Sequence, residues 1–216
     1  MNKDNNSNNI NVYNIKIILL GEVGTGKTNL IATYFDGRFN ENCPPTINPR
    51  ACHTKLEIEN NLCFVDMWDT MGHEKYRAIT TSFIKGSNII VFVYDITRKE
   101  TFLALEYWVE QAKEIVGNEN IMFAIAANKI DLIEFSQIEK SEGLEFAKKI
   151  GAYFIESSSK ANPEGFKKFI NKLLTKMILN NNILEKEGTI QSLHNNSNNI
   201  KLKHFDKKAN SKKKCC

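Results

Sequence analysis

Residues 15–28 read IKIILLGEVGTGKT. A β-branched run, Ile15 to Leu20, ends at Gly21, and the next eight residues, GEVGTGKT (21–28), fit G-x-x-x-x-G-K-[ST] in full. Leu30, Ile31, Tyr34 and Phe35 then recur at helical spacing. A strand that enters a glycine-rich turn and leaves as a helix is the layout a phosphate-binding loop needs. Gly24 and Gly26 let successive backbone N–H groups turn inward around phosphate oxygens, and the positive end of the following helix strengthens that field. Lys27 is placed to bridge β- and γ-phosphates and the Thr28 hydroxyl to bind Mg²⁺. A glycine turn followed by an incidental lysine would not carry the whole pattern in this context.

Outward from this loop, strand-like and helix-like segments alternate. LCFVDMW (62–68) puts Cys63, Val65 and Met67 on one face, while NIIVFVYD (88–95) and IMFAIAA (121–127) are continuous apolar runs, as expected of strands buried on both faces. AYFIE (152–156) reads as a last short strand. Phe102, Leu105, Trp108, Val109, Ala112 and Val116 form one helical stripe; Phe166, Phe169, Ile170, Leu173, Leu174 and Met177 form another after Pro163. Ser141 is placed to cap a shorter helix that ends at Gly151. This alternation predicts a three-layer α/β domain around a mainly parallel sheet.

The 216 residues suit one domain with some tail, and 42% hydrophobic content supplies a core. No run of 18 apolar residues occurs, and the Asn-rich start MNKDNNSNNINVYN has no apolar stretch of a secretory signal. The net charge of +4 is concentrated in residues 201–214, where seven lysines face one aspartate. With Phe205 as its one phenyl ring and no nucleic-acid-reading motif, that run suits anionic lipid rather than nucleic acid. Five cysteines in no metal-ligand spacing, with no export signal, fit a reducing cytosolic setting. Residues 181–216 are too polar to bury a core and read as a flexible tail, as do residues 1–12.

A phosphate loop names no base, but NKID (128–131) does. It follows the strand 121–127 directly, which places it at the carboxyl end of the sheet beside the phosphate loop. The Asp131 carboxylate is able to accept from a ring N–H and an exocyclic amino group on one edge, a donor pair that guanine has and adenine lacks. With ESSSK (156–160) after the last strand, the chain resembles the Ras superfamily of small GTPases. Within it, KYRAITTSFIKGSNIIVFVYDIT (75–97), WDT (68–70) and the terminal KKKCC resemble the Rab branch, the last being similar to its double-cysteine prenylation signal on Cys215 and Cys216.

The resemblance covers about residues 13–178 and the extreme C-terminus. It implies a P-loop fold with a six-stranded sheet and about five helices, in a domain spanning 13–180, that binds and hydrolyses GTP with Mg²⁺. It implies a nucleotide site of Val23, Gly24, Thr25, Gly26, Lys27, Thr28, Asn29, Phe39, Thr46, Gly72, Asn128, Lys129, Asp131, Ser158, Ser159 and Lys160. Thr46 would bind Mg²⁺ and sense the γ-phosphate. Phe39 would pack on guanine, Asp69 would hold Mg²⁺ through water, and the Gly72 amide would meet the γ-phosphate. It further implies a monomer cycling between cytosol and the cytoplasmic face of an intracellular membrane. Its partners would be exchange factors, GTPase-activating proteins, a prenylation escort and effectors.

The departures gather at the reaction centre. His73 stands where the family has the glutamine that orients the attacking water; an imidazole is shorter and does not present a carbonyl and an amide together. A neutral imidazole aimed at the water would serve as a base, given an ordinary pKa near 6.5. Val23 brings a branched side chain to a position usually Gly, Ser or Ala, and Met71 replaces a small alanine, expected to set a thioether beside the γ-phosphate. These three predict slow intrinsic hydrolysis. In the first switch, TINPRA (46–51) puts Asn48 in place of a glycine and Ala51 in place of an aromatic, while Trp68 and Phe83 keep the rest of an effector-binding triad. A second reading is a non-cycling, GTP-bound scaffold that recruits effectors to a membrane. A P-loop kinase is disfavoured by NKID and ESSSK.

Overall fold

The computed structural model describes residues 10–72, 77–117 and 120–180. Its six strands are β1 (Val12–Leu20), β2 (Arg50–Ile58), β3 (Asn61–Asp69), β4 (Ile89–Asp95), β5 (Met122–Asn128) and β6 (Tyr153–Ser157). The helices are α1 (Lys27–Asp36), α2 (Arg77–Ser82), α3 (Lys99–Leu103), α4 (Leu105–Val116), α5 (Lys140–Ile150) and α6 (Pro163–Leu179). A short 3-10 helix spans Ile130–Phe135. The joint between α3 and α4 is Ala104, whose backbone is itself helical, so the two act as one interrupted helix and five helical units flank the sheet among the described residues.

The strand order is β2-β3-β1-β4-β5-β6, with β2 antiparallel and the other pairs parallel. Both faces of the sheet are covered, which is why its central strands carry unbroken apolar runs. Every residue of β4 is buried. Ile15, Ile17, Leu19, Cys63, Val65 and Met67 pack with Leu30 and Ile31 of α1 and with Phe166, Ile170 and Leu174 of α6. Ile18, Leu20, Phe92 and Tyr94 join Trp108, Val109 and Ala112 of α4 and Ala147 of α5 on the other face. The period-2 alternation of β1 and the 3.6-residue stripes of α4 and α6 thus meet in two cores, one on each side.

Two local readings change. β2 is not among the strands expected from apolar runs: it is an edge strand in which Cys52, Leu56 and Ile58 face the core and alternate with the exposed His53, Lys55 and Glu57, and it pairs with β3. The cap of α5 is Glu139, not Ser141. Glu139 and Glu142 form a capping box in which the Glu139 N–H donates to the Glu142 carboxylate at 2.8 Å. Ser141 already lies inside the helix and donates to Glu139 Oε2. Pro163 does open α6, capped by Asn162 Oδ1, which accepts from the Gly165 N–H at 3.0 Å.

Candidate nucleotide site

The carboxyl ends of β1, β3 and β5 open on one cleft of about 340 Å³. Its walls include Val23, Gly24, Gly26, Lys27, Thr28 and Asn29 from the glycine loop, Phe39 and Thr46 from the α1–β2 loop, Gly72, and Asn128, Lys129, Asp131, Ser159 and Lys160. That size suits a small organic ligand.

The glycine loop is shaped by its backbone. Gly24 (φ 76°) and Gly26 (φ 94°) are left-handed, a conformation costly for any side chain. A Cβ on Gly26 would lie 2.3 Å from Asn128 Nδ2. That close approach has a purpose: Asn128 Nδ2 donates to the Thr25 carbonyl at 2.8 Å, tying the end of β5 to the loop. Thr25 itself turns its hydroxyl onto the Glu22 carbonyl, and its buried side chain does not line the cleft. Lys27 is buried, its ammonium donating to the carbonyls of Gly21 (2.7 Å) and Glu22 (2.9 Å). Burial pushes its pKa down to about 8, against the pull of Asp69 and Glu22.

Three side-chain oxygens meet at one mouth of the cleft. Thr28 Oγ1 donates to Asp69 Oδ2 at 2.9 Å, Thr46 Oγ1 to the same oxygen at 3.1 Å, and the two hydroxyls are 2.9 Å apart. The burial of Asp69 raises its pKa, opposed by those hydroxyls and by Lys27. A set of hard oxygens around one desolvated carboxylate fits Mg²⁺, which takes one or two protein groups and completes its shell with water and substrate phosphate. No cluster of three His, Cys, Asp or Glu exists among the described residues to form an all-protein cage.

At the other end, Asp131 is oriented by Ser158, whose hydroxyl donates to Asp131 Oδ1 at 2.5 Å and accepts from the Ala161 N–H. Ser158 therefore acts behind the cleft wall rather than in it. Lys129 has a left-handed backbone (φ 69°) and its ammonium lies 2.6 Å from Asp95 Oδ2. Ser159 is buried with its hydroxyl unpartnered. Asn29 uses both ends of its amide on the Asn40 backbone, anchoring the loop that carries Phe39. Lys160 pairs with Glu41 at 3.0 Å and lies 6.0 Å from the Phe39 ring centre.

One expectation fails. Met71 is 3% exposed and is not among the residues lining the cleft, although its neighbours Thr70 and Gly72 are. The Thr70 hydroxyl is bound to the Leu19 carbonyl and the Met71 carbonyl accepts from Thr80, and the buried Met71 side chain is not part of the cleft wall. Val23 does line the cleft. His73, Cys215 and Cys216 lie outside the described residues. Sequence reasoning missed Glu41, Cys43, Pro44, Pro45 and Leu132 as wall residues, since no motif marks them, and Thr70, which it quoted in WDT without a place in the cleft. On the neighbouring face Ala51 pairs with Trp68 across β2 and β3, and the Trp68 and Phe83 rings lie 5.2 Å apart, so the reduced triad is contiguous.

The model of the Ras family matches residues 16–179 of this chain. Ras-related protein Rab-22A of Homo sapiens is 36% identical over 146 residues, covering 68% of this chain and 75% of that protein. Ras-related protein Rab-31 of Homo sapiens is 35% identical over 149 residues, 69% of this chain and 76% of the relative; Rab-31 of Rattus norvegicus matches to the same extent. With a glycine loop, a cluster of three side-chain oxygens and the Asp131 carboxylate around one cleft, these matches place the chain in the Ras family, as a Rab-like small GTPase.

Proposed function

We propose that this chain is a Mg²⁺-dependent GTP/GDP switch in vesicle traffic, with its nucleotide in the cleft described and its intrinsic hydrolysis slow. The observation that carries the reading is the convergence of Thr28, Thr46 and Asp69 from three separate segments at the phosphate end of that cleft. Asp131, set by Ser158, would accept from the two donors on the guanine edge. Lys27 would exchange its two carbonyl partners for phosphate oxygens, and the N–H groups of Gly24 and Gly26 would hold the β-phosphate. Charge neutralisation between the β- and γ-phosphates is what Mg²⁺ supplies when bound at the oxygen corner. Thr46 sits on the long α1–β2 loop, so its capture at that corner is the step that would order the loop in the GTP form.

Exchange factors, GTPase-activating proteins and effectors would act through the two switch segments, with Ala51 beside Trp68 giving a flatter effector surface than an aromatic there. The lysine-rich tail and Cys215 and Cys216 would hold the protein on the cytoplasmic face of a membrane. No helix among the described residues is long and apolar enough to cross one.

Slow hydrolysis rests on Val23, which lines the cleft, and on His73 in place of the water-orienting glutamine. Single-turnover GTP hydrolysis at saturating Mg²⁺ tests it. Val23→Ser with His73→Gln should speed turnover about tenfold, a barrier change of about 1.4 kcal/mol. His73→Gln alone should gain less, because Val23 still crowds the water to be oriented. A wild type as fast as the double variant, and losing its activity on His73→Ala, makes His73 a working catalyst. Turnover undetectable even in the double variant favours the non-cycling scaffold.

A further inference from the structure

Arg98 lies just past β4, in a turn closed by its own N–H on the Asp95 carbonyl. It is not among the residues lining the cleft. Its guanidinium hydrogen-bonds two groups, with Glu100 Oε1 4.0 Å from its Nη1. Nε donates to Asp95 Oδ2 at 3.2 Å, and Nη2 donates to the Val23 carbonyl at 2.8 Å, 75 residues away in the chain. The Asp95 side chain is 1% exposed and also accepts from the N–H and hydroxyl of Thr97. Burial works to raise its pKa, but the bonds from Lys129 and Thr97 outweigh this and hold it below the ordinary range. The anchor of Arg98 is thus a fixed, ionised carboxylate. A planar fork held at one end presents its other end with little loss of side-chain freedom.

The consequence follows from peptide geometry. The described chain has no cis peptide bond, so the Val23 C=O and the Gly24 N–H belong to one planar trans unit and point in opposite directions. Holding the carbonyl against Arg98, behind the loop, turns the Gly24 N–H to the opposite side. Gly24, left-handed at φ 76° and without a side chain, has little intrinsic preference that would fix this peptide. A Cβ there would lie 3.3 Å from Arg98 Nη2, so the guanidinium sits directly on the loop.

We propose that Arg98 is a positioning residue for phosphate binding: braced by Asp95, it fixes the Val23–Gly24 peptide so that the Gly24 N–H is preset for the β-phosphate. The inference rests on the nucleotide reading of the cleft. It also accounts for the lone carboxylate at the end of β4, since Asp95 Oδ2 receives both Arg98 from the phosphate side and Lys129 from the base side.

The test compares GDP and GMP, which differ by the β-phosphate alone, in competition with a fluorescent guanine nucleotide on the full chain. Arg98→Ala should weaken GDP about tenfold and GMP less than twofold. Arg98→Lys keeps the charge but replaces the fork with a single donor head, so it should also weaken GDP, by about fivefold or more, at unchanged thermal stability. Equal losses for GDP and GMP, or wild-type GDP affinity in either variant, overturns the inference. Lys27→Ala separates this from failure of the site reading. If it leaves GDP affinity intact the cleft does not bind phosphate, whereas if it abolishes binding while Arg98→Ala keeps wild-type GDP affinity, only the role of Arg98 falls.

Discussion

Lys27 shows how one residue links folding to ligand choice. With two carbonyls as its hydrogen-bond partners among the described residues, its ammonium is buried at a desolvation cost that lowers its pKa to about 8, while the unfolded chain keeps the ordinary value near 10.5. Between those two values the unfolded state binds more protons than the folded one, so stability of the nucleotide-free protein should rise as pH rises through that window. Below about 8 both states are protonated and the dependence vanishes. Denaturant midpoints of nucleotide-free protein at pH 8.0 and 9.5 would check this against Lys27→Met, which has no proton to lose there. The midpoint of the wild type should climb relative to the variant, and parallel curves would mean the ammonium stays charged. The same cost fits the proposed role of the lysine, because phosphate oxygens would restore what burial removed.

Among the elements, the phosphate loop depends on what lies behind it. Gly72, just past β3, packs so closely on this loop that a Cβ would fall 2.5 Å from Glu22 C and Val23 N, and 2.6 Å from Glu22 O. All three are backbone atoms, so no side chain can rotate away. Gly72→Ala should therefore displace the loop and cost about 1–3 kcal/mol of stability, the range for overpacking a tight interior, together with a loss of GDP affinity. Urea unfolding and nucleotide titration report the two effects, and an unchanged midpoint with unchanged affinity would show a loop that yields freely. Glu22 adds a further brace, its Oε1 accepting from Trp108 Nε1 at 3.1 Å, so the loop is gripped by β3, α4 and Arg98 at once.

For the molecule as a whole, the charge is divided between a near-neutral domain and a tail of seven lysines ending in Cys215 and Cys216. A single lipid chain binds membranes only marginally, whereas two chains, or one with a basic patch, anchor stably. Replacing both cysteines by serine should leave the protein in the soluble fraction of cells, and replacing one should give partial, salt-sensitive membrane binding. Fractionation of cells expressing these variants decides the matter: a double variant that still pellets with membranes excludes prenyl anchoring.

The sequence by itself determined the parts whose physics is local. The strand–GEVGTGKT–helix unit, the buried runs of β4 and β5, the NKID turn and the Pro163 start of α6 all arise from residues within one or two turns of each other, and all stand where the pattern put them. Tertiary structure decided the rest. β2 is held at the sheet edge by its pairing with β3 and by Cys52, Leu56 and Ile58 packing on the core, while its other face stays charged and in solvent. The Met71 thioether is buried and lines no part of the cleft, which no alternation rule reveals at the end of a strand. The Lys160–Glu41 pair spans 119 residues and Arg98–Val23 spans 75, so their partners are chosen by the twist and order of the sheet. A motif can state which groups meet a phosphate; only the packed sheet states which distant side chains hold those groups in place.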